Sequence, residues 1–322
     1  MAARLKNRAM VDNIMVLASP TNMPDRPSRE APPETRETER PLYTRVQSYE
    51  NIGPRHEQQD AAGHGVIMID NHPVLVDVVA DGHGGKDGSV IARAAVHEIL
   101  KGVKAGQPLG KIFFEKLFLQ IHQGLVEKKL KGGTALTVTL VDGKHLVLAY
   151  VGDVEAKIAT RNGKLLLINK PHHLGGHAAE TERIKKSGAK IFENRVLHDE
   201  GARLLVQKML LPGATRNVGE IDLIPGLDMT RSLGDAEYDP HVLHTPEFVS
   251  HNLVDDDRFL LVASDGFWKT IEQNKAARYL AGILAGAKDA AAVRSKIAAL
   301  LDECILVDNV TLEIVELHKK GE

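Results

Sequence analysis

The chain has 322 residues, 43% of them hydrophobic, with a formal net charge of -2 and a single cysteine, Cys304. That length suits one large domain or two small ones with ordinary core material, and the near-neutral balance argues against a nucleic-acid or membrane footprint. One cysteine excludes an intramolecular disulfide, and no apolar stretch reaches the ~20 residues of a membrane span. A reducing setting is expected, intracellular and in the cytoplasm, with Cys304 read as a small buried hydrophobe.

At the start of the chain, Arg4, Lys6 and Arg8 precede the apolar run Met10–Ala18. Asp12 and Asn13 interrupt that run, so a short amphipathic helix or an extra strand is expected in place of a signal peptide. Pro20 to Pro41 holds six prolines among Arg, Glu and Thr. Residues 1–41 are therefore expected to form a flexible arm and proline-rich linker, and 42–322 the folded domain. Strands are expected over Tyr43–Ile52 and Gly63–Ile69, joined by the polar segment Arg55–Asp60. Val74–Asp81 reads as a buried strand, being short, rich in valine and followed by glycine. Val96, Ile99, Leu100 and Val103 share one helical face, as do Phe114, Phe118, Ile121 and Leu125, which predicts helices to about Gly102 and over 110–130. Leu136, Val138 and Leu140 alternate with threonines. Asp142-Gly143 and Asn162-Gly163 then mark hairpin turns, which rules out a purely parallel sheet. Residues 170–226 carry a short helix, Ala178–Ser187, and little further periodicity, and are read as a flap insertion. Phe259–Ala263 is another buried strand. Two late helices are expected near Glu272–Ala285 and Ala290–Leu301, then a last strand from Asp308. The order implies a double sheet with helices outside.

The chemistry centres on aspartates at the ends of buried strands. Asp81 and Asp265 each follow an apolar run and precede a glycine. Asp308 opens the last run, and Asp60 closes the Arg55–Asp60 segment. Carboxylates without Cys partners favour hard cations such as Mg²⁺ or Mn²⁺. Two such ions a few ångströms apart can present a bridging hydroxide in line with a phosphorus. The planar fork of Arg55 suits phosphate. His83 is placed to protonate a leaving alkoxide. Gly82 adds a backbone carbonyl. His172 and His173 are read as loop-orienting at most.

Taken in order, Arg55-x-x-x-Gln59-Asp60, Asp81-Gly82-His83-Gly84-Gly85, Gly132-Gly133-Thr134-Ala135, Val151-Gly152-Asp153, Glu180-x-x-Arg183-Ile184, Thr230–Asp235, Ala263–Trp268 and Asp308-Asn309 resemble the metal-dependent protein phosphatases of the 2C type, the PPM family. The resemblance spans roughly Tyr43 to Leu317. It implies an α+β fold, a four-layer α/β/β/α sandwich of two antiparallel sheets flanked by helix pairs. It also implies hydrolysis of phosphoserine and phosphothreonine in a phosphoprotein substrate by a monomer holding two Mg²⁺ or Mn²⁺ ions. Carried over residue by residue, the metal ligands are Asp60, Asp81, the Gly82 carbonyl, Asp265 and Asp308, with Gln59 and Asp153 as further candidates. Arg55 takes the phosphate and His83 the proton-donor role.

Departures from the family pattern are informative. Gln59 stands where the family often has Glu, which removes a charge and weakens metal binding. Val154-Glu155 replaces the usual Ser-Arg, and Pro171-His172 a usual Asp-His pair. Lys269 stands where Asp is common, and that Asp, with Asp153, helps hold a third ion in family members. An ammonium there opposes a third ion. The alternative function is a pseudophosphatase acting as a binding or scaffold module, and a more remote one is an unrelated metal hydrolase. The retained aspartates and Arg55 favour the active enzyme.

Overall fold

A computed structural model describes residues 43–209 and 226–317. The expected arm, 1–41, and part of the flap lie outside the described residues. Alternating apolar side chains and tight Gly turns generate two antiparallel sheets. The first has the order β1-β13-β12-β6-β7, with β1 Tyr43–Asn51, β6 Glu155–Thr160, β7 Leu165–Leu167, β12 Asp257–Ala263 and β13 Val310–Leu317. The second runs β11-β5-β4-β3-β2, with β2 Ala61–Ile69, β3 His72–His83, β4 Gly133–Asp142, β5 His145–Val151 and β11 Glu247–Asn252. The two-residue β10, Leu233–Gly234, pairs with β4 beside that path. Asp142 faces His145 across the first expected hairpin, whose Gly143 has φ 56°, the left-handed conformation that glycine adopts without strain.

Three apolar layers hold the sheets. Between them, Leu75, Val79, Val141 and Leu148 meet Ile158, Leu260, Val262 and Val315. Outside the second sheet, Val74, Val76 and Val78 meet α1 (Asp87–Lys101) and α2 (Lys111–Glu127) through Val96, Leu100, Phe114, Phe118, Ile121 and Leu125. Outside the first sheet, Phe259, Leu261, Leu312 and Ile314 meet Leu280, Leu284, Val293, Ile297 and Leu301. Each such burial stabilises by roughly 1.5–3 kcal/mol. Strand β3 is buried on both faces, and that is why it reads as a nearly unbroken valine run. The result is the four-layer α/β/β/α sandwich.

The expected flap helix forms as α3 (Ala178–Lys186). The structure adds to it a small hairpin of β8 (Lys190–Phe192) with β9 (Arg195–Leu197), and α4 (Asp199–Met209), which the sequence reading lacks. Strands of three residues are too short to show a period. On the β12 side the expected pair of late helices, α6 (Ala277–Gly286) and α7 (Ala290–Asp302), is preceded by a third, α5 (Asp265–Gln273). The Asp265-Gly266 pair looks like a turn but is the first turn of a helix, entered through Ser264 in extended conformation. Cys304 is half-buried at the edge of the core, not fully enclosed.

Candidate active site

Antiparallel register gathers the aspartates at one end of the sandwich. Asp60 immediately precedes β2, and Ala61 pairs with Ala80 of β3. Asp81 pairs with Ala135, and Leu136 with Val151, just before the Gly152-Asp153 turn that crosses from the second sheet to the first. In the first sheet Ala263 pairs with Leu312, which puts Asp265, the first residue of α5, level with the start of β13. Asp308 lies two residues before that strand, and Asn51 of β1 pairs with Val310. Asp81 is still within β3, which continues to His83.

The segment between β1 and β2 is held by Asn309. Its side chain donates to the carbonyls of Ile52 (2.8 Å) and Glu57 (3.1 Å) and accepts from the Gln59 N–H (2.9 Å). Gln59 thus meets this end of the molecule through its backbone, and its carbonyl accepts from Ser89. Gly82 is closely covered: a Cβ there would lie 2.4 Å from that same carbonyl. Gly53, at φ +60°, lets the chain pass under the Asp308 carbonyl, which a Cβ would meet at 2.1 Å.

Carboxylate oxygens of Asp81, Asp153 and Asp265 lie within 4.8 Å of one another. Asp60 completes this group beside Asp81. It is 6% exposed, and its Oδ2 has no hydrogen-bond partner among the described residues. Burial, reinforced by the neighbouring Asp265 charge, pushes the Asp60 carboxyl up to about 6. Burial and the surrounding carboxylates raise Asp81 and Asp153 well above the ordinary range. Like charges crowded at this spacing call for a cation. An all-oxygen, carboxylate-rich donor set with an orphaned buried oxygen fits a hard divalent ion. Asp308 stands to one side of this group: its Oδ2 accepts from Arg55 at 2.5 Å, and the guanidinium also feels Asp265 and Asp81. The phosphate-binding candidate and one expected metal ligand are therefore paired with each other.

His83 is held by Asp235. Its Nε2 lies 2.7 Å from Asp235 Oδ2 and 2.9 Å from Oδ1, while its Nδ1 is buried without a partner among the described residues. Ser232 donates to the same carboxylate at 2.6 Å. Asp235 sits at φ 50° just after β10, and a Cβ on Gly133 would strike its Oδ2 at 2.3 Å. Burial works against the imidazolium, but the Asp235 charge outweighs it and the His83 pKa is raised. Asp235 was visible in the Thr230–Asp235 motif, yet nothing in sequence links it to a histidine 152 positions away. Lys269, one helical turn beyond Asp265, pairs with Asp265 Oδ2. Asp228, which no sequence motif marked, adds its charge beside Asp153 and Lys269.

His172 is fully buried, and its Nδ1 accepts from the Gly152 N–H at 3.1 Å, which orients the turn carrying Asp153. His173 Nδ1 lies 3.7 Å from Asp153 Oδ2. The flap is fastened by Glu180 and Arg231. Arg231 bonds Glu180 Oε1 at 2.7 Å and Glu247 Oε1 at 3.1 Å, and Arg183 bonds Glu180 Oε2 at 2.9 Å. Burial alone would raise the Glu180 carboxyl, but the two arginines hold it down at about 2.

The sandwich with its acidic end defines a class. A family model described as protein phosphatase 2C matches residues 50–301. The chain belongs to the protein phosphatase 2C family. It is 26% identical over 254 residues to a probable protein phosphatase 2C 3 of Oryza sativa subsp. japonica, covering 74% of this chain and 48% of that protein. It is 24% identical over 227 residues to a probable protein phosphatase 2C 20 of Arabidopsis thaliana, covering 69% of each. The chain spans about half the length of the first of these relatives. Among solved structures, the serine/threonine phosphatase Stp1 of Staphylococcus aureus superimposes with a TM-score of 0.59 at 18% identity, over 89% of this chain and 100% of that one. A sex-determining protein of C. elegans gives 0.61 at 19% identity, over 86% and 65%. These likenesses carry the fold.

Proposed function

We propose that the chain is a metal-dependent protein serine/threonine phosphatase that hydrolyses phosphoserine and phosphothreonine. The observation that carries this is the convergence of Asp60, Asp81, Asp153 and Asp265 at one end of the sandwich, with Arg55 beside them. Asp60, Asp81, the Gly82 carbonyl, Asp265 and Asp308 would hold two Mg²⁺ or Mn²⁺ ions. When bound, such ions neutralise phosphate charge and lower the pKa of a water nucleophile. The Arg55 guanidinium, more than half exposed, presents its fork to the non-bridging phosphate oxygens. Asp235 fixes the His83 ring through Nε2 and favours its protonated form, which leaves Nδ1 as the nitrogen that protonates the departing serine or threonine oxygen.

We further infer a monomer acting on phosphoproteins in a reducing, intracellular compartment, on the strength of the single cysteine and the near-neutral charge. Among the described residues no helix is long and apolar enough to cross a membrane. Hydrolysis of p-nitrophenyl phosphate and of a phosphoserine peptide, measured after chelation and again with Mn²⁺ or Mg²⁺, tests the reading. Turnover that appears only with metal supports it. No turnover in the loaded protein overturns it in favour of a scaffold.

A further inference from the structure

The acidic end of the sandwich carries a cation of its own. Lys269 lies on α5, four residues after Asp265, so both side chains leave the same helix face. Its ammonium pairs with Asp265 Oδ2. Asp265, Asp153 and Asp228 all act on that ammonium, and Lys269 in turn opposes the crowding that Asp265 and Asp228 impose on Asp153. These carboxylates arrive from separate places: Asp153 from the crossover between the sheets, Asp228 from the segment that follows the flap, and Asp265 from α5. Asp153 is 4% exposed, and its Oδ2 lies 3.7 Å from His173 Nδ1. Without a cation, this side of the centre would hold three carboxylates in mutual repulsion.

We propose that Lys269 is a tethered cation that takes the place of a divalent ion among Asp153, Asp228 and Asp265, so that this chain binds its ions only on the Asp60–Asp81 side. The proposal rests on the reading of the acidic cluster as a metal centre. Asp265 belongs to both halves: one carboxylate oxygen faces the lysine, and the other remains for an ion shared with Asp81. A chain built in this way keeps a fixed charge where a dissociable ion would respond to metal concentration. This arrangement also gives Asp153 a structural role, holding Lys269 and Asp228 in one cluster.

The test counts ions directly. The full chain, stripped with chelator, is titrated with Mn²⁺ alone. Bound ions are counted by calorimetry and by the loss of the free Mn²⁺ electron-paramagnetic signal. The wild type is compared with Lys269→Arg, Lys269→Met and Lys269→Asp, each checked for folding by circular dichroism. Wild type and Lys269→Arg should bind the same number of ions, because both keep a positive group. Lys269→Met and Lys269→Asp should each bind one more, the latter more tightly. Equal counts in all four proteins, or an extra ion in Lys269→Arg, overturn the tether while leaving the metal centre standing. A wild type that takes up no Mn²⁺ overturns both.

Discussion

At the residue scale, what matters at each buried carboxylate is the charge. Asp81 is crowded by Asp60, Asp265 and Asp153, so neutralising it removes repulsion as well as a ligand. Asp81→Asn is expected to abolish metal-dependent turnover and, in the ion-free protein, to raise the melting temperature; a lowered one would show that the crowding is not felt. For His83 the informative quantity is the leaving group. General-acid help is typically ~10²–10⁴-fold and is needed by a serine alkoxide far more than by p-nitrophenolate. His83→Gln should therefore cost a phosphopeptide most of that factor and p-nitrophenyl phosphate much less. Equal losses in kcat on the two substrates would reduce His83 to a turn residue.

Asp77 is the residue-scale surprise. It lies on β3 facing the other sheet, fully buried, with neither oxygen partnered among the described residues. Burial and then the Glu313 charge raise its pKa well above the usual range. The folded state thus holds a proton that the unfolded chain gives up near pH 3.8. Stability is full at low pH and falls as pH rises through the window from there to the raised value. Asp77→Asn should remove this loss and stabilise the protein at pH 8 more than at pH 5, as read by urea midpoints. The aspartates of the site were legible because each stands at the end of an apolar run or of a polar connecting segment, where a carboxylate has no structural use. Asp77 was hidden inside a buried strand, and its pKa rise comes first from burial and then from Glu313 on the other sheet, neither of which the local sequence displays.

At the scale of elements, α5 is the piece that sequence reading missed and on which the site depends. Its second residue, Gly266, packs on the chain just before β13 so closely that a Cβ would lie 2.0 Å from the Asn309 carbonyl. Gly266→Ala must push the helix start away and carry Asp265 and Lys269 with it. A displacement of about 1 Å at a reacting centre can cost ~10²-fold. We expect a loss of that order in kcat/KM, with a folded protein by circular dichroism; unchanged kcat/KM would mean that α5 has slack. The flap makes a separate case. Glu180 and Arg231 are fixed from elements more than 50 residues apart, and no local period announces such a pair. Breaking one side of a buried ion pair typically costs 3–5 kcal/mol. Arg231→Met should approach that figure in thermal unfolding, whereas Lys186→Met, on an exposed pair of the same helix region, should change little.

At the scale of the whole molecule, three apolar layers were legible as runs and stripes, but which layer touches which sheet was not. That assignment needs the strand order, and strand order is set by pairings between distant segments such as β1 and β13. Phe114 and Trp268 lie in the two opposite outer layers. Phe114→Ala should cost about 3–5 kcal/mol. If the sandwich unfolds as one unit, the fluorescence of Trp268, the single tryptophan, and the far-ultraviolet dichroism should shift together. Separate midpoints would show that the outer layers melt independently.

The distribution of the site's carboxylates between the sheets has a mechanical meaning. Asp60 and Asp81 belong to the β2–β5 side, Asp265 and Asp308 to the β12–β13 side, and Asp153 to the turn that joins the two. An ion bound among them is a stitch between two slabs that otherwise adhere through greasy, non-directional contact. Chelation should then let the slabs slide at this end and leave the far end gripped. Amide protons of β3 and β13 near Asp81 and Val310 should exchange faster without metal, while those near Val74 and Leu317 keep their pace.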